Sequence, residues 1–236
     1  VMVKSMQELM NEAYEAKIQT ETFRLNQVEA EFKTLASQIN PHFLYNTLET
    51  IRMKAYVNND KETADLVKKL GKFMRRCLEV KNSMVTLESE LEFTKSYLEL
   101  QAARFGDRIS YSIDNEIDGN YPILPLIIQP IVENAFVHGI ESSKSNGKIT
   151  VSIKYSGENV IIEVEDNGQG IPDDKMSELR WKLEENDTSS GKSIGLTNVN
   201  KRIKMFHGDE YGLSFTSQIG KGTRVRITLP KEVKNQ

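Results

Sequence analysis

The chain has 236 residues, of which 38% are hydrophobic and 28% are charged, and its formal net charge is -3 at pH 7. This is ordinary globular composition with room for one or two domains, and its mild acidity argues against nucleic acid as the main partner. The single cysteine, Cys77, excludes an internal disulfide, and no run of about eighteen apolar residues could span a membrane.

The first hundred or so residues are predicted to form long helices, since they contain one proline, Pro41, and one glycine, Gly71. The chain opens in mid-pattern, which suggests a piece of a longer protein. Further helices are expected at residues 63–77 and 87–104. An apolar seam with spacings of three and four, typical of a dimeric coiled coil, runs through Leu25, Val28, Phe32, Leu35 and Ile39.

From about residue 107 the pattern is that of a sheet with helices on one face. A buried helix is predicted at 126–138, ending at Gly139, and another helix at 195–206. Residues 172–193 are predicted to close over a ligand as a lid, whose end at 186–193 is a mobile loop of small and polar residues. Strands are predicted at 109–113, 149–155, 160–165, 213–217 and 223–229.

The first motif that carries chemistry is the string QINPHFLYN at residues 38–46. Pro41 directly precedes His42, so a kink in a longer helix would expose the imidazole. Alternatively, Asn40 caps a new helix, Pro41 fills its first position and His42 is an ordinary surface residue. These residues alone leave both interpretations open. A neutral imidazole is a competent nucleophile near neutral pH.

The second motif is QPIVENAFVHG at residues 129–139. Asn134 and His138 are one helical turn apart and share a face. The amide oxygen of Asn134 suits Mg²⁺, and His138 could donate to a phosphate group. A plain polar pair on a helix surface is the alternative.

The third motif follows a predicted strand, where Asp166 precedes two closely spaced glycines, Gly168 and Gly170. Glycines let the backbone approach a flat ligand closely, and a carboxylate can accept the exocyclic amino group of adenine. A simple turn is the alternative interpretation.

The fourth motif is a small-residue loop that includes Gly191 and runs into a helix at Gly195. Free N–H groups at a helix N-terminus suit a polyphosphate, although the spacing is neither that of a P-loop nor that of the dinucleotide fingerprint. Thr223, next to the turn of the last hairpin, is either a plain strand residue or part of the adenine site.

Residues 38–50 resemble the phosphoacceptor motif of the LytS- and YesM-type sensor histidine kinases, and the string at 129–140 favours the YesM type. The later motifs resemble the N, G1 and G2 boxes of the ATPase fold shared by histidine kinases, gyrase, Hsp90 and MutL. This resemblance, over roughly residues 25–230, implies a helical dimerisation bundle or coiled coil followed by an α+β sandwich ATPase domain. The implied domains are a HAMP-like signalling linker at 1–24, a dimerisation and phosphotransfer domain at 25–104, and a catalytic domain at 105–232.

The resemblance implies that ATP with Mg²⁺ is the phosphate donor, that His42 is phosphorylated and that Asn134 is the metal ligand. Many histidine kinases have Asp or Glu directly after the phosphorylated histidine, where this chain has Phe43. Glu133 as base and Asn46 as orienting group are the candidate substitutes, and the choice stays open. The remaining implied nucleotide contacts are His138, Asp166, Gly168, Gly170, Gly191, Gly195, Leu196 and Thr223.

The implied partners are a second copy of the chain and the receiver domain of a response regulator. A membrane receptor is expected upstream of residue 1, with the present chain on the cytoplasmic side. Two other functions remain in view, a hydrolytic ATPase and a non-catalytic dimeric nucleotide-sensing module. The hydrolases of this fold carry a catalytic glutamate one turn before the metal-binding Asn, and Pro130 stands there in this chain.

Overall fold

The computed structural model describes residues 41–78, 83–141, 146–184 and 194–233. The chain divides into two compact units, a helical unit at Val1–Leu78 and a sheet unit at Glu79–Gln236. The predicted linker, the apolar seam and Gly191 lie outside the described residues. Within the described ranges, no helix is long and apolar enough to cross a membrane.

The described part of the helical unit is a hairpin of two helices, α1 at Pro41–Val57 and α2 at Lys61–Leu78. Asn59 makes the turn at a positive φ of 59°, and Asp60 caps α2 by accepting a hydrogen bond of 3.0 Å from the Thr63 N–H. The Arg75 guanidinium lies 5.1 Å from the ring centre of Tyr45. The end of α2 therefore packs against the start of α1.

The sheet unit begins with helix α3 at Leu87–Phe105, which Thr86 caps by accepting a hydrogen bond of 3.2 Å from the Ser89 N–H. The helix ends at Gly106, which has a positive φ of 61° that glycine adopts without strain. The sequence places residues 25–104 in the helical domain, whereas α3 belongs to the compact unit that contains the sheet.

A five-stranded sheet forms the centre of this unit. Its strands are β2 at Ile109–Asn115, β4 at Gly147–Ser156, β5 at Asn159–Asp166, β6 at Gly212–Gln218 and β7 at Gly222–Pro230. Their order in the sheet is β2-β4-β5-β7-β6, in which the β2–β4 pair is parallel and the other pairs are antiparallel. One face is apolar and lies under the helices, and the other carries ion pairs such as Arg226–Glu163 at 2.7 Å. This difference between the two faces is expected of a sheet covered on one side.

A separate two-stranded ladder, absent from the sequence prediction, pairs β1 at Val85–Thr86 with β3 at Pro122–Ile123. Each strand has only two residues, which is too short for an alternating pattern to appear in the sequence.

The helix predicted at 126–138 is shorter at its start and irregular at its end. Leu126 has a positive φ of 57°, so regular helix begins later, as α4 at Gln129–Asn134. The chain continues as a π-helical turn over Ala135–Ile140, beyond the predicted end at Gly139. Such turns are rare and occur often at functional sites.

The segment predicted as a lid contains a helix that the sequence prediction missed, α5 at Asp173–Glu184. The last helix, α6 at Ile194–His207, agrees with the prediction within one residue at each end. The predicted mobile loop at 186–193 lies outside the described residues.

Candidate active site

A cavity of about 360 Å³ opens in the sheet unit between α4, α5, the end of β5 and β7. Its walls join residues that are up to about ninety positions apart in the chain, which is how the fold assembles the separate sequence motifs. The predicted site residues that line it are Asn134, His138, Asp166, Gly170, Leu196 and Thr223. The Gly168 N–H is hydrogen bonded to the Asp166 carboxylate, and Gly195 precedes Leu196 at the start of α6.

Asp166 is the last residue of β5 and is only 4% exposed. Burial raises the pKa of its carboxyl, whereas the backbone N–H groups of Gly168 and Thr223 lower it in part. The Gly168 N–H donates to the Asp166 Oδ1 at 2.8 Å. The carboxylate is thus held in one orientation at the wall of the cavity.

Glycines around Asp166 allow backbone segments to approach more closely than a side chain would permit. A Cβ at Gly139 would lie 2.6 Å from the Asp166 Oδ1, and a Cβ at Gly168 would lie 2.1 Å from the Gly139 carbonyl oxygen. A Cβ at Gly222 would lie 1.8 Å from the Asp166 carbonyl oxygen. The sequence identified Gly139 only as a helix end, because its contact with Asp166 depends on the tertiary fold.

Replacing Gly168 by Ala is expected to destabilise the sheet unit by roughly 2–4 kcal/mol, because the new methyl group would overlap rigid backbone at Gly139. The matched control is Gly195→Ala, where a Cβ would meet no atom within 4 Å. Thermal unfolding of the two variants measures the difference. Equal unfolding temperatures would contradict the tight packing of residues 139 and 168.

Asn134 and His138 lie on the helical wall of the cavity, at the junction of α4 with the π-helical turn. The Asn134 Nδ2 donates to the Pro130 carbonyl oxygen at 2.6 Å, so this bond orients the amide and leaves its Oδ1 as the acceptor. The His138 carbonyl oxygen accepts a bond of 2.7 Å from the Gln169 Nε2. The sequence prediction did not include Gln169.

Helix α5 adds charged side chains that the sequence prediction did not assign to the site. Lys175, Glu178 and Lys182 line the cavity, and the Lys182 ammonium is hydrogen bonded to the Glu178 carboxylate. Two lysines on this wall bring positive charge to a cavity that also contains Asp166. The helical spacing that puts them on one side of α5 could have suggested this, had the segment been predicted as a helix.

His42 lies in the helical unit, as the second residue of α1, and its side chain is exposed. The Asn46 Nδ2 lies 3.2 Å from the His42 Nδ1, so the amide one turn further along the helix contacts the ring. Whether Pro41 kinks a longer helix or begins a new one depends on the residues before it, and residues 1–40 lie outside the described residues.

Glu133 is exposed on α4 and faces α3. Burial, and to a smaller extent the charge of Glu133, raises the pKa of the Tyr97 phenol to about 12. Glu133 is not among the described residues that line the cavity, unlike its neighbour Asn134.

A cavity with a buried aspartate in one unit and an exposed histidine on a helical hairpin in the other are the features expected of a protein histidine kinase. A family model described as "Histidine kinase" matches residues 30–109. A model described as "Histidine kinase-, DNA gyrase B-, and HSP90-like ATPase" matches residues 119–233. These matches confirm the predicted fold class.

Individual relatives agree with the family models. Sensor histidine kinase YesM of Bacillus subtilis is 35% identical over 231 residues, which are 98% of this chain and 37% of YesM. Sensor protein LytS of Oceanobacillus iheyensis is 38% identical over 206 residues, 86% of this chain and 34% of LytS. The Bacillus subtilis protein YwpD is 34% identical over 214 residues, 87% of this chain and 74% of YwpD.

The chain belongs to the LytS/YesM-type family of sensor histidine kinases. It spans only about a third of the length of YesM and LytS.

Proposed function

We propose that this chain is the kinase core of a sensor histidine kinase, in which His42 takes the γ-phosphoryl group of ATP. The observation that carries the proposal is the buried, hydrogen-bonded carboxylate of Asp166 in a glycine-walled cavity of the sheet unit. The helical unit of the same chain presents an exposed imidazole. Under this proposal, the sheet unit supplies the donor site and the helical unit supplies the acceptor.

The adenine ring is proposed to bind at Asp166. A carboxylate accepts hydrogen bonds and cannot donate when ionised, so it matches the exocyclic amino group of adenine. The close backbone approach at Gly139 and Gly168 holds Asp166 in place at the cavity wall, Gly139 and Gly170 line that cavity, and Thr223 lies beside Asp166 across the β5–β7 pair.

The phosphate groups are proposed to extend towards Asn134 and the start of α6. The Oδ1 of Asn134 fits Mg²⁺, a hard cation that prefers oxygen ligands. Mg²⁺ held there would supply positive charge to the phosphate groups of ATP. His138, Lys175 and Lys182 supply further donors on the cavity walls, and the N-terminus of α6 adds its N–H groups.

The transfer step is proposed to form a bond between the His42 Nε2 and the γ-phosphorus, while the bond from that phosphorus to the β–γ bridging oxygen breaks and ADP leaves. The attacking nitrogen needs its lone pair, so the ring proton must be on Nδ1. An amide can present either oxygen or nitrogen to the ring, and the Asn46 Oδ1 would accept a bond from that Nδ1–H. Asn46 therefore orients the ring. The proton lost after attack goes to a separate base, for which Glu133 stays the candidate.

Replacing Asn46 by Ala should slow phosphorylation of His42 by about 10²-fold, because the ring loses the contact that fixes its tautomer and direction. Affinity for ATP should not change, since the nucleotide contacts come from the sheet unit. Asn46→Asp, which keeps the acceptor, should retain most of the rate. Single-turnover labelling and nucleotide titration separate these effects, and a rate unaffected in Asn46→Ala would exclude the orienting role.

Adenine binding should weaken as the pH falls, because only the ionised Asp166 accepts from the amino group. Burial raises the pKa of Asp166, so the affinity is full above that raised pKa and is lost as the pH falls through it. Adenosine is the suitable probe, since it has no phosphate groups that titrate. Affinity that stays constant down to about pH 4, where an ordinary aspartate titrates, would contradict the assignment.

We propose that a second copy of the chain buries the apolar surface of α1 in a dimer. Phe43, Tyr56 and Val57 are all more than half exposed, with Val57 at 74%. A two-helix hairpin cannot bury such residues by itself, and a dimeric bundle can. A molar mass of two chains by light scattering is the expected result, and a monomer at micromolar concentration would contradict it.

The receiver domain of a response regulator is the proposed acceptor after His42, and the full-length protein is proposed to be anchored in a membrane upstream of residue 1. Loss of label from His42 when the cognate receiver domain is added tests the first proposal. Fractionation of cells that contain the full-length protein tests the second.

The proposed function is tested by incubating the chain with Mg²⁺ and ATP labelled at either the γ- or the α-phosphate. The γ-label should become attached to the protein and the α-label should not. Steady release of free phosphate without labelled protein would indicate a hydrolase. Binding without either reaction would indicate a nucleotide-sensing module.

A further inference from the structure

Buried polar side chains lie where α3 and α4 pack in the sheet unit. On α3, Glu90 is 1% exposed and Thr94, one turn further along, is 0% exposed. Gln129, the first residue of α4, is 5% exposed, and neither it nor Thr94 has a side-chain hydrogen-bond partner among the described residues. Apolar side chains would usually be more stable in such a place, so stability alone does not account for these residues.

Arg202 of α6 is electrostatically linked to the same region. Its Nη2 donates a hydrogen bond of 2.8 Å to the Pro125 carbonyl oxygen, in the loop before α4. Burial lowers the pKa of the Arg202 guanidinium, and the charge of Glu90 raises it. Through its hydrogen bond to Pro125, Arg202 joins helix α6 to the loop that leads into α4.

The loop that Arg202 holds is strained. Leu126, directly after Pro125, has a φ of 57°, in the left-handed region that residues other than glycine rarely adopt. Such a conformation persists only when its surroundings hold it. Three residues later α4 begins, and its far end carries Asn134 into the cavity.

We propose that Arg202 is a positioning residue for the phosphate end of the nucleotide site. Its guanidinium holds the Pro125 carbonyl, stabilises the strained turn at Leu126 and so fixes the start of α4. The same bond ties the loop before α4 to α6, which contributes Leu196 to the cavity. The proposal rests on the proposed function, in which this cavity binds ATP.

The test compares two probes with the full 236-residue chain. A non-hydrolysable ATP analogue with Mg²⁺ requires α4 to be placed correctly, whereas adenosine requires only the Asp166 end of the cavity. Arg202→Gln should weaken binding of the analogue about tenfold and leave adenosine affinity within about twofold.

The matched control is Lys201→Gln, the neighbour of Arg202 on α6. It should bind the analogue and adenosine as the unaltered chain does. If Arg202→Gln does not fold, Arg202→Lys replaces it, since it keeps the charge and loses the planar fork. Leu126→Gly in the Arg202→Gln background should recover part of the analogue affinity, because glycine adopts this φ without strain.

Failure of this inference is distinguishable from failure of the proposed function. An unaltered chain that binds neither probe would contradict the nucleotide site itself. An unaltered chain that binds both, with a folded Arg202 variant that binds the analogue equally well, would overturn the positioning role. Equal losses for the analogue and adenosine would also overturn it, because they would indicate a general structural defect.

Discussion

Asp166→Asn is expected to weaken ATP binding by about 10²–10³-fold, which effectively abolishes it. In the variant the amide oxygen can still accept from the Gly168 N–H, which is 2.8 Å from the Asp166 Oδ1 in the unaltered chain. The amide nitrogen would then face the adenine amino group, so that two donors meet and neither finds an acceptor. Calorimetric titration with a non-hydrolysable ATP analogue measures the loss.

The fold should tolerate this substitution. Because the folded-state pKa of Asp166 is raised, the ionised carboxylate costs stability above that pKa, and the cost is relieved as the pH falls. A neutral amide removes the buried charge at neutral pH, so the unfolding temperature should be unchanged or higher. Light scattering should still give the mass of a dimer.

Glu165→Gln is the matched control, since Glu165 is the neighbouring residue on the opposite face of β5 and pairs with Arg224 at 2.8 Å. Exposed ion pairs contribute little to stability, so this variant should bind ATP normally. Normal ATP binding by Asp166→Asn would show that the adenine assignment is wrong. An unfolded Asp166→Asn would contradict the expected tolerance instead.

His42→Gln is expected to remove all transfer of the γ-phosphoryl group to the protein. The glutamine amide has no nucleophilic lone pair comparable to that of the imidazole nitrogen, so no partial activity should remain. His42 is exposed and lies outside the unit that contains the cavity, so ATP affinity and unfolding temperature should both be retained. Labelling with γ-labelled ATP, alongside nucleotide titration, measures the two properties separately.

The control for this variant is His207→Gln, at the end of α6, where the ring makes edge-to-face contacts with Phe206 and Tyr211. It should still be labelled at His42, even if its stability falls slightly. Persistent labelling of His42→Gln at the original level would assign the phosphate to another residue.

Much of the fold was predictable because regular patterns extend over whole elements. In β4 the buried residues alternate with exposed or half-buried ones, and a two-residue turn at Gly157 and Glu158 joins it to β5. Apolar spacing likewise predicted α6 to within one residue at each end. Such elements are set by local sequence and by a single buried face.

The irregular elements were not predictable in the same way. The positive φ of Leu126 could not be predicted, because residues with a positive φ are usually glycines. The carbonyl of the preceding residue accepts a hydrogen bond from Arg202, which is far away in the sequence. The π-helical turn after Asn134 and the two-residue strands β1 and β3 also depend on tertiary packing. Helix α5 was missed because its polar sequence has only a weak apolar face.

The residues of the candidate site likewise fall into two groups, those predictable from local sequence and those that depend on tertiary packing. Asp166 and Asn134 were predicted from short motifs, since an acid or amide at a strand end or helix face can be recognised locally. Gly139 was not assigned to the site, although a Cβ there would lie 2.6 Å from the Asp166 Oδ1. Lys175 and Lys182 enter the cavity only because α5 packs beside it. Close approach of distant segments is the information that local sequence lacks.

The most direct test of the central claim is to locate the phosphate after the chain reacts with γ-labelled ATP and Mg²⁺. A phosphohistidine is acid-labile and stable in base, unlike a phosphoserine. The expected result is an acid-labile label on the peptide that contains His42, with phosphorus bonded to Nε2 by NMR. Free phosphate with an unlabelled protein, or an acid-stable label elsewhere, would contradict the account.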